Sequence, residues 1–137
     1  MLTGILGASH KISIADGATV TLNNVDINYG TTLTASSYAG ITCLGDATLI
    51  VVNASPEIAY NKNYVKGLSS GHPGIFVPSA STLTITDNGT LYALGHEYGA
   101  GIGSGRYNIT DYNLFICIKL ISKIKSYKKH DGTWKFY

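Results

Sequence analysis

His96-Glu97 opens the His-Glu-x-x-His pattern of helical zinc hydrolases, in which two histidines one turn apart hold the metal and the glutamate activates water. Position 100 is Ala, so the second ligand is missing. Gly99-Ala-Gly-Ile-Gly-Ser-Gly105 is glycine-rich enough to wrap a phosphate. Yet Ser104 and Arg106 stand where a dinucleotide loop needs glycine, and no Gly-Lys follows as a nucleoside triphosphate loop requires. Asp16, Asp26, Asp46 and Asp87 are the carboxylates that a polysaccharide lyase or hydrolase would gather on one face, with calcium or as an acid and base pair. Three of them lie in Asp-Gly, Gly-Asp-Ala and Asp-Asn-Gly settings, where aspartate bonds turn backbone, and the single arginine, Arg106, stands apart from them. Cys43 and Cys117 give neither a disulfide framework nor zinc spacing. The residues point away from an enzyme, and no catalytic set, metal or cofactor is expected.

What remains is aromatic. Tyr38 and His72 each stand two residues before the glycine of a repeated Gly-Ile dipeptide, and Tyr98 stands three before Gly101. Rings lined up on a solvated edge form a platform for sugar faces, with Thr42, Asn61, Asn63 and His96 as candidate partners for hydroxyls. The alternative, and the commoner use of such rings, is a packed corner ladder with no ligand. Threonine rows are a different chemistry, since a flat threonine face can order water as ice binders do. The rows here, Thr19-Thr48-Thr82 and Thr21-Ile50-Thr84, are broken in the second.

The elements that must position these residues announce themselves by repetition. Ala18-Thr-Val-Thr-Leu22, Ala47-Thr-Leu-Ile-Val51 and Ser81-Thr-Leu-Thr-Ile85 share one pattern, starting 29 and 34 residues apart. Ala39-Gly-Ile41, Pro73-Gly-Ile75 and Ala100-Gly-Ile102 form a second word, in the same cyclic order. Alternating apolar residues with threonines between them read as strands with one buried face. Each is followed by turn residues, so every unit of about 30 residues offers two or three short strands and no helix. Such strands cannot bury their own faces, whereas stacked along an axis they form a continuous core. An antiparallel sandwich is the alternative, but it has no need for like words at like places. Stacking predicts Val20 over Leu49 over Leu83 inside, and Gly40 over Gly74 over Gly101 at a corner too tight for a side chain. The expected core is Ile14, Val20, Leu22, Ile41, Cys43, Leu49, Val51, Ile75, Val77, Leu83, Ile85 and Ile102.

Several longer words then match a known pattern in order. Ile12 to Leu22, Ala39 to Leu49, Val65-Lys-Gly67 with His72 to Pro78, and Tyr98 to Gly105 resemble the repeats of large secreted or surface proteins of gut bacteria described as carbohydrate-binding-domain-like. The resemblance covers about residues 12–105. It implies an all-β fold, a short right-handed parallel β-helix, in an extracellular or cell-surface setting and as one module of a longer chain.

The composition divides at the end of this pattern. Of 137 residues, only 13% are charged, and the net charge of +2 conceals an asymmetry. Residues 1–105 carry three lysines against six acids, a balance of −3, and residues 106–137 carry seven bases against two acids, +5. The expected organisation is a parallel β-helix domain of three to four coils over 1–105 and a Lys-rich amphipathic capping tail over 106–137. In the tail, Leu114, Cys117, Ile118, Ile121 and Ile124 fall at helical spacing with a basic far end, while Leu114, Ile116, Ile118 and Leu120 alternate as a strand would. The helix accounts for more of the lysines and is the expectation. A basic helix face is ordinarily a solvated one, so no nucleic-acid partner is expected. No apolar run approaches the ~18–20 residues of a membrane span, and the N-terminal residues lack the basic and apolar regions of a secretory signal. The functional expectation is a non-catalytic glycan-binding module, taking a polysaccharide or host glycan and existing as a monomer or edge-to-edge oligomer. A purely structural adhesin spacer is the alternative, and a fragment of a polysaccharide lyase or glycoside hydrolase the second.

Overall fold

The computed structural model describes residues 1–6, 11–28, 38–52, 62–69, 71–87, 89–96, 99–103, 115–118, 123–130 and 133–136. The fold is all-β, with no helix among the described residues. Its strands are β1 (Leu2–Ile5), β2 (Ile12–Ile14), β3 (Ala18–Ile27), β4 (Ile41–Cys43), β5 (Ala47–Val52), β6 (Asn63–Lys66) and β7 (Ile75–Phe76). They continue as β8 (Thr82–Thr86), β9 (Thr90–Leu94), β10 (Ile102–Gly103), β11 (Phe115–Ile118), β12 (Lys123–His130) and β13 (Thr133–Phe136). Every pairing is parallel except β12 with β13.

The pairings form three ladders. The first runs from the front half of β3 through β5 and β8 to β11. The second runs β2, β4, β7, β10. The third runs from the last residues of β3 through β6 and β9 to β12. The first and third share β3, so they belong to one curled sheet of nine strands beside a four-stranded sheet. The curl has a local cause. Asn24 lies inside β3 at φ +53°, a left-handed conformation that asparagine tolerates better than most residues, and the register with β1 shifts there. Asp87, at φ +83°, turns the chain after β8.

Alternation sorts the side chains. Leu22, Ile41, Leu49, Val51, Val65, Ile75, Val77, Leu83, Ile85 and Leu91 are completely excluded from solvent, and Ile14 and Cys43 nearly so. Of the expected core, only Val20 and Ile102 are merely half-buried against it. The glycine stack also forms as expected. A Cβ on Gly40 would stand 2.9 Å from the carbonyl oxygen of Gly74, and one on Gly74 would stand 2.8 Å from that of Gly101.

Two expectations are corrected. The first-ladder register is Val20 to Leu49 to Ile85, with Leu83 beside Ala47, two residues away from the alignment of the repeated words. A slip of two preserves the buried face, because side chains alternate with period two, so matching words alone leaves it undetermined. Hydrogen bonds at the corner fit the observed register: Asp16 Oδ1 accepts from Asp46 N at 2.8 Å, and Asp46 Oδ1 accepts from Thr82 N at 2.7 Å. The helix expected in the tail is the second correction, since the described tail residues form β11, β12 and β13. The N–H and C=O groups along the outer edges of β8 and β9 need strand partners, which β11 and β12 supply by parallel pairing. The boundary expected at Gly105/Arg106 falls outside the described residues.

Candidate functional site

The corner between the third and second ladders carries the aromatic series. Gly67 N donates to Leu94 O at 2.8 Å and Leu68 N to Tyr38 O at 3.0 Å, joining successive passes of the chain. His96 N donates to His72 O at 3.0 Å, and His72 N to Ser69 O at 3.0 Å. Tyr38, His72 and His96 are thus brought to one corner by main-chain bonds. Close backbone approach explains the local glycines: a Cβ on Gly99 would fall 2.1 Å from His72 O.

Their side chains differ in accessibility. Tyr38 is 39% exposed, and the Lys11 ammonium lies 5.1 Å from its ring centroid, a cation–π contact that fixes the ring and places a donor beside it. The His72 ring is half-buried, with Nδ1 2.8 Å from Ser69 Oγ. His96 is half-buried and its Nδ1 has no hydrogen-bond partner among the described residues. Thr42, half-buried on β4, lies on the second ladder between Ser13 and Phe76 in register. Tyr98 and Asn61 lie outside the described residues.

Asn63 is removed from a ligand-facing set by its burial. It is completely excluded from solvent, and its Oδ1 accepts from Val25 N at 3.1 Å. Its Nδ2 donates to Val52 O at 3.0 Å and lies 3.4 Å from Thr90 O. One amide therefore ties β3, β5 and β9 together where the first and third ladders meet. Asp16 and Asp46 each accept a hydrogen bond from main-chain N–H further along the chain, Asp46 N and Thr82 N respectively.

Residue-type reasoning missed a second aromatic feature. Tyr64 on β6 and Tyr92 on β9 pair in register and stack with centroids 6.4 Å apart at 26°. Lys62 Nζ lies 5.0 Å from the Tyr92 centroid, and Asp26 precedes Tyr64 in the same row. Burial and, secondarily, the Asp26 carboxylate push the Tyr64 phenol above its ordinary pKa. The available signal was an identical place for two tyrosines in alternating segments 28 residues apart. On the first ladder, Gly17, Asp46, Ala47, Thr48, Thr82 and Thr84 line an open depression of about 280 Å³. The threonine row across that ladder is Thr19-Thr48-Thr84, and the adjoining row, Thr21-Ile50-Thr86, is interrupted.

Among the described residues no three His, Cys, Asp or Glu side chains are grouped to hold a metal, and no helix is long and apolar enough to cross a membrane. No family model, curated protein or solved structure matches the chain.

Proposed function

We propose that this chain is a module of an extracellular or cell-surface protein, a short right-handed parallel β-helix that binds glycan without cleaving it. Three parallel ladders with a shared apolar interior support the β-helix. The exposed Tyr38 ring, pinned by Lys11 at a corner that also carries His72 and His96, is the observation that supports glycan binding. A pyranose presents C–H groups on one face and hydroxyls around its rim. Tyr38 offers an apolar surface for the first, and Lys11 a donor for the second. A single exposed ring binds weakly, so such a module works through multiple copies or a polymeric ligand.

A panel of immobilised plant, host and microbial polysaccharides tests the reading. Retention of the full chain on at least one of them is expected, with loss on Tyr38→Ala and no change in polymer length or ultraviolet absorbance. Passage through every gel unretained would leave the structural-spacer reading in its place, and shortened or unsaturated polymer would restore the enzyme reading.

A further inference from the structure

At the start of β3, β5 and β8, the outward side of the first ladder recedes into the depression lined by Gly17, Asp46, Ala47, Thr48, Thr82 and Thr84. Two outward rows frame it. Gly17, Asp46 and Thr82 stand immediately before Ala18, Ala47 and Leu83, which pair in register, and Thr19, Thr48 and Thr84 form the next outward row. Ala47 is buried and makes the floor between them. Gly17 leaves one end of the first row open, because a Cβ there would meet nothing within 4 Å. Asp46 is exposed, and its Oδ1 accepts from Thr82 N at 2.7 Å, so the carboxylate has a fixed place while Oδ2 has no partner among the described residues. Asp16 turns its Oδ1 to Asp46 N at 2.8 Å and stays out of the lining. The hydroxyls of Thr48, Thr82 and Thr84 likewise have no hydrogen-bond partner among the described residues.

From this arrangement we infer that the depression is a binding site for one neutral pyranose unit, recognised through its hydroxyls and not through an aromatic face. Adjacent strands lie about 4.8 Å apart and alternate residues along a strand roughly 6.6 Å, so the polar groups form a frame the size of one sugar ring. Thr48 and Thr84, on adjacent strands, match hydroxyls on alternate ring carbons. Threonine hydroxyls both donate and accept, and Asp46 Oδ2 accepts only, so together they suit a ligand rich in O–H groups. A charge-assisted bond to the carboxylate is the strongest single contact available. Anionic sugars and phosphates are disfavoured, since the only charged lining residue is an acid. A bare divalent cation fits poorly too, because one carboxylate among hydroxyls falls short of the oxygen set such an ion takes. The inference does not rest on the Tyr38 corner, which lies between the other two ladders.

Amide NMR titration of the full chain with the methyl glycosides of glucose, galactose and mannose tests it, with methyl glucuronide as the acidic counterpart. At least one neutral glycoside is expected to shift the amides of Gly17, Asp46, Thr48, Thr82 and Thr84 in a saturable way, and the glucuronide to shift them less. Thr48→Val and Thr84→Val keep the side-chain shape on an outward face, and each should weaken binding about fivefold, the worth of one hydrogen bond. Gly17→Asn should block the site, because asparagine tolerates the left-handed backbone there, at φ +72°, and fills the open end. Asp46→Asn can still accept from Thr82 N, so it should lower the preference for neutral over acidic glycoside, a change that a merely structural aspartate would not give. Tyr38→Ala should leave all of these shifts in place. The inference is overturned if no neutral glycoside moves these amides, if the glucuronide binds as well as the neutral sugars, or if the valine variants melt and bind like the parent. Shifts confined to Lys11 and Tyr38 would also overturn it while upholding the corner as the glycan site.

Discussion

The first and third ladders run through the same chain and share β3, yet they are held together differently. In the first, Leu22, Leu49, Val51, Leu83 and Ile85 stack as pure hydrocarbon, and each strand presents the same alternation to its neighbour. In the third, Val65, Leu91 and Ala93 supply a shorter apolar strip, and a buried amide, Asn63, supplies main-chain partners in three strands. On the outside the contrast continues. The first ladder shows threonines and the third shows stacked tyrosines among lysines. One face is tolerant of register because any apolar residue fills it. The other is specific, because the amide has only one place where all its partners are within reach.

Leu83→Asp gives the largest expected effect and breaks the hydrocarbon side of this contrast. Leu83 has no exposure, and an unpaired carboxylate there costs several kcal/mol against a net stability of about 5–15 kcal/mol. Loss of the native circular dichroism spectrum is expected; a variant that melted with the parent would mean that the first ladder is not the core.

Asn63→Leu tests the other side. Leucine keeps the γ-branched shape but is bulkier than the amide, and Val25 N–H and Val52 C=O lose their partner inside the protein. At about 1–3 kcal/mol for each of the two buried groups left unsatisfied, a loss of roughly 2–6 kcal/mol is expected in urea unfolding. If the leucine variant were as stable as the parent, the third ladder would be held by hydrocarbon like the first.

The same contrast governs how much could be read from the residues alone. The first and second ladders declared themselves because their inward residues and corner glycines recur as words. Val20, Leu49 and the Gly40-Gly74-Gly101 stack follow directly from that recurrence. The third ladder has no such word: Val25-Asp-Ile27, Tyr64-Val65 and Leu91-Tyr-Ala93 share alternation but not composition, so the Tyr64-Tyr92 stack stayed hidden. Asn63 reads as a surface hydroxyl partner because asparagine is ordinarily exposed, and only the fold shows that three strands converge on it. The tail was ambiguous for a physical reason. Its isoleucines satisfy helical and strand spacing together, and the choice was made by the open edges of β8 and β9, which lie elsewhere in the chain.

Alkaline titration gives the smallest effect and separates an interior group from an outer one. Burial pushes the Cys43 thiol from 9.0 up to about 11. Below pH 9 the thiol is protonated in folded and unfolded chains alike, and its contribution to stability is fully present. Between pH 9 and 11 the unfolded chain releases the proton while the folded one keeps it, so stability falls as pH rises through that window. At 1.36 kcal/mol for each pKa unit the fall approaches about 2–3 kcal/mol by pH 11. Tyr64 is raised from its ordinary 10.0 by burial first and by Asp26 second, so it adds a decline of the same sign beginning near pH 10. Urea midpoints measured at pH 8, 9, 10 and 11 should therefore converge on the parent's for Cys43→Ala as pH rises, because the variant lacks the thiol's loss. Tyr64→Phe should show the same convergence to a lesser degree, and only above pH 10. Other tyrosines titrate in all three proteins and cancel in the differences. A constant offset between Cys43→Ala and the parent from pH 8 to 11 would mean that the thiol ionises as freely in the fold as outside it, and the second ladder would not bury its inward residues.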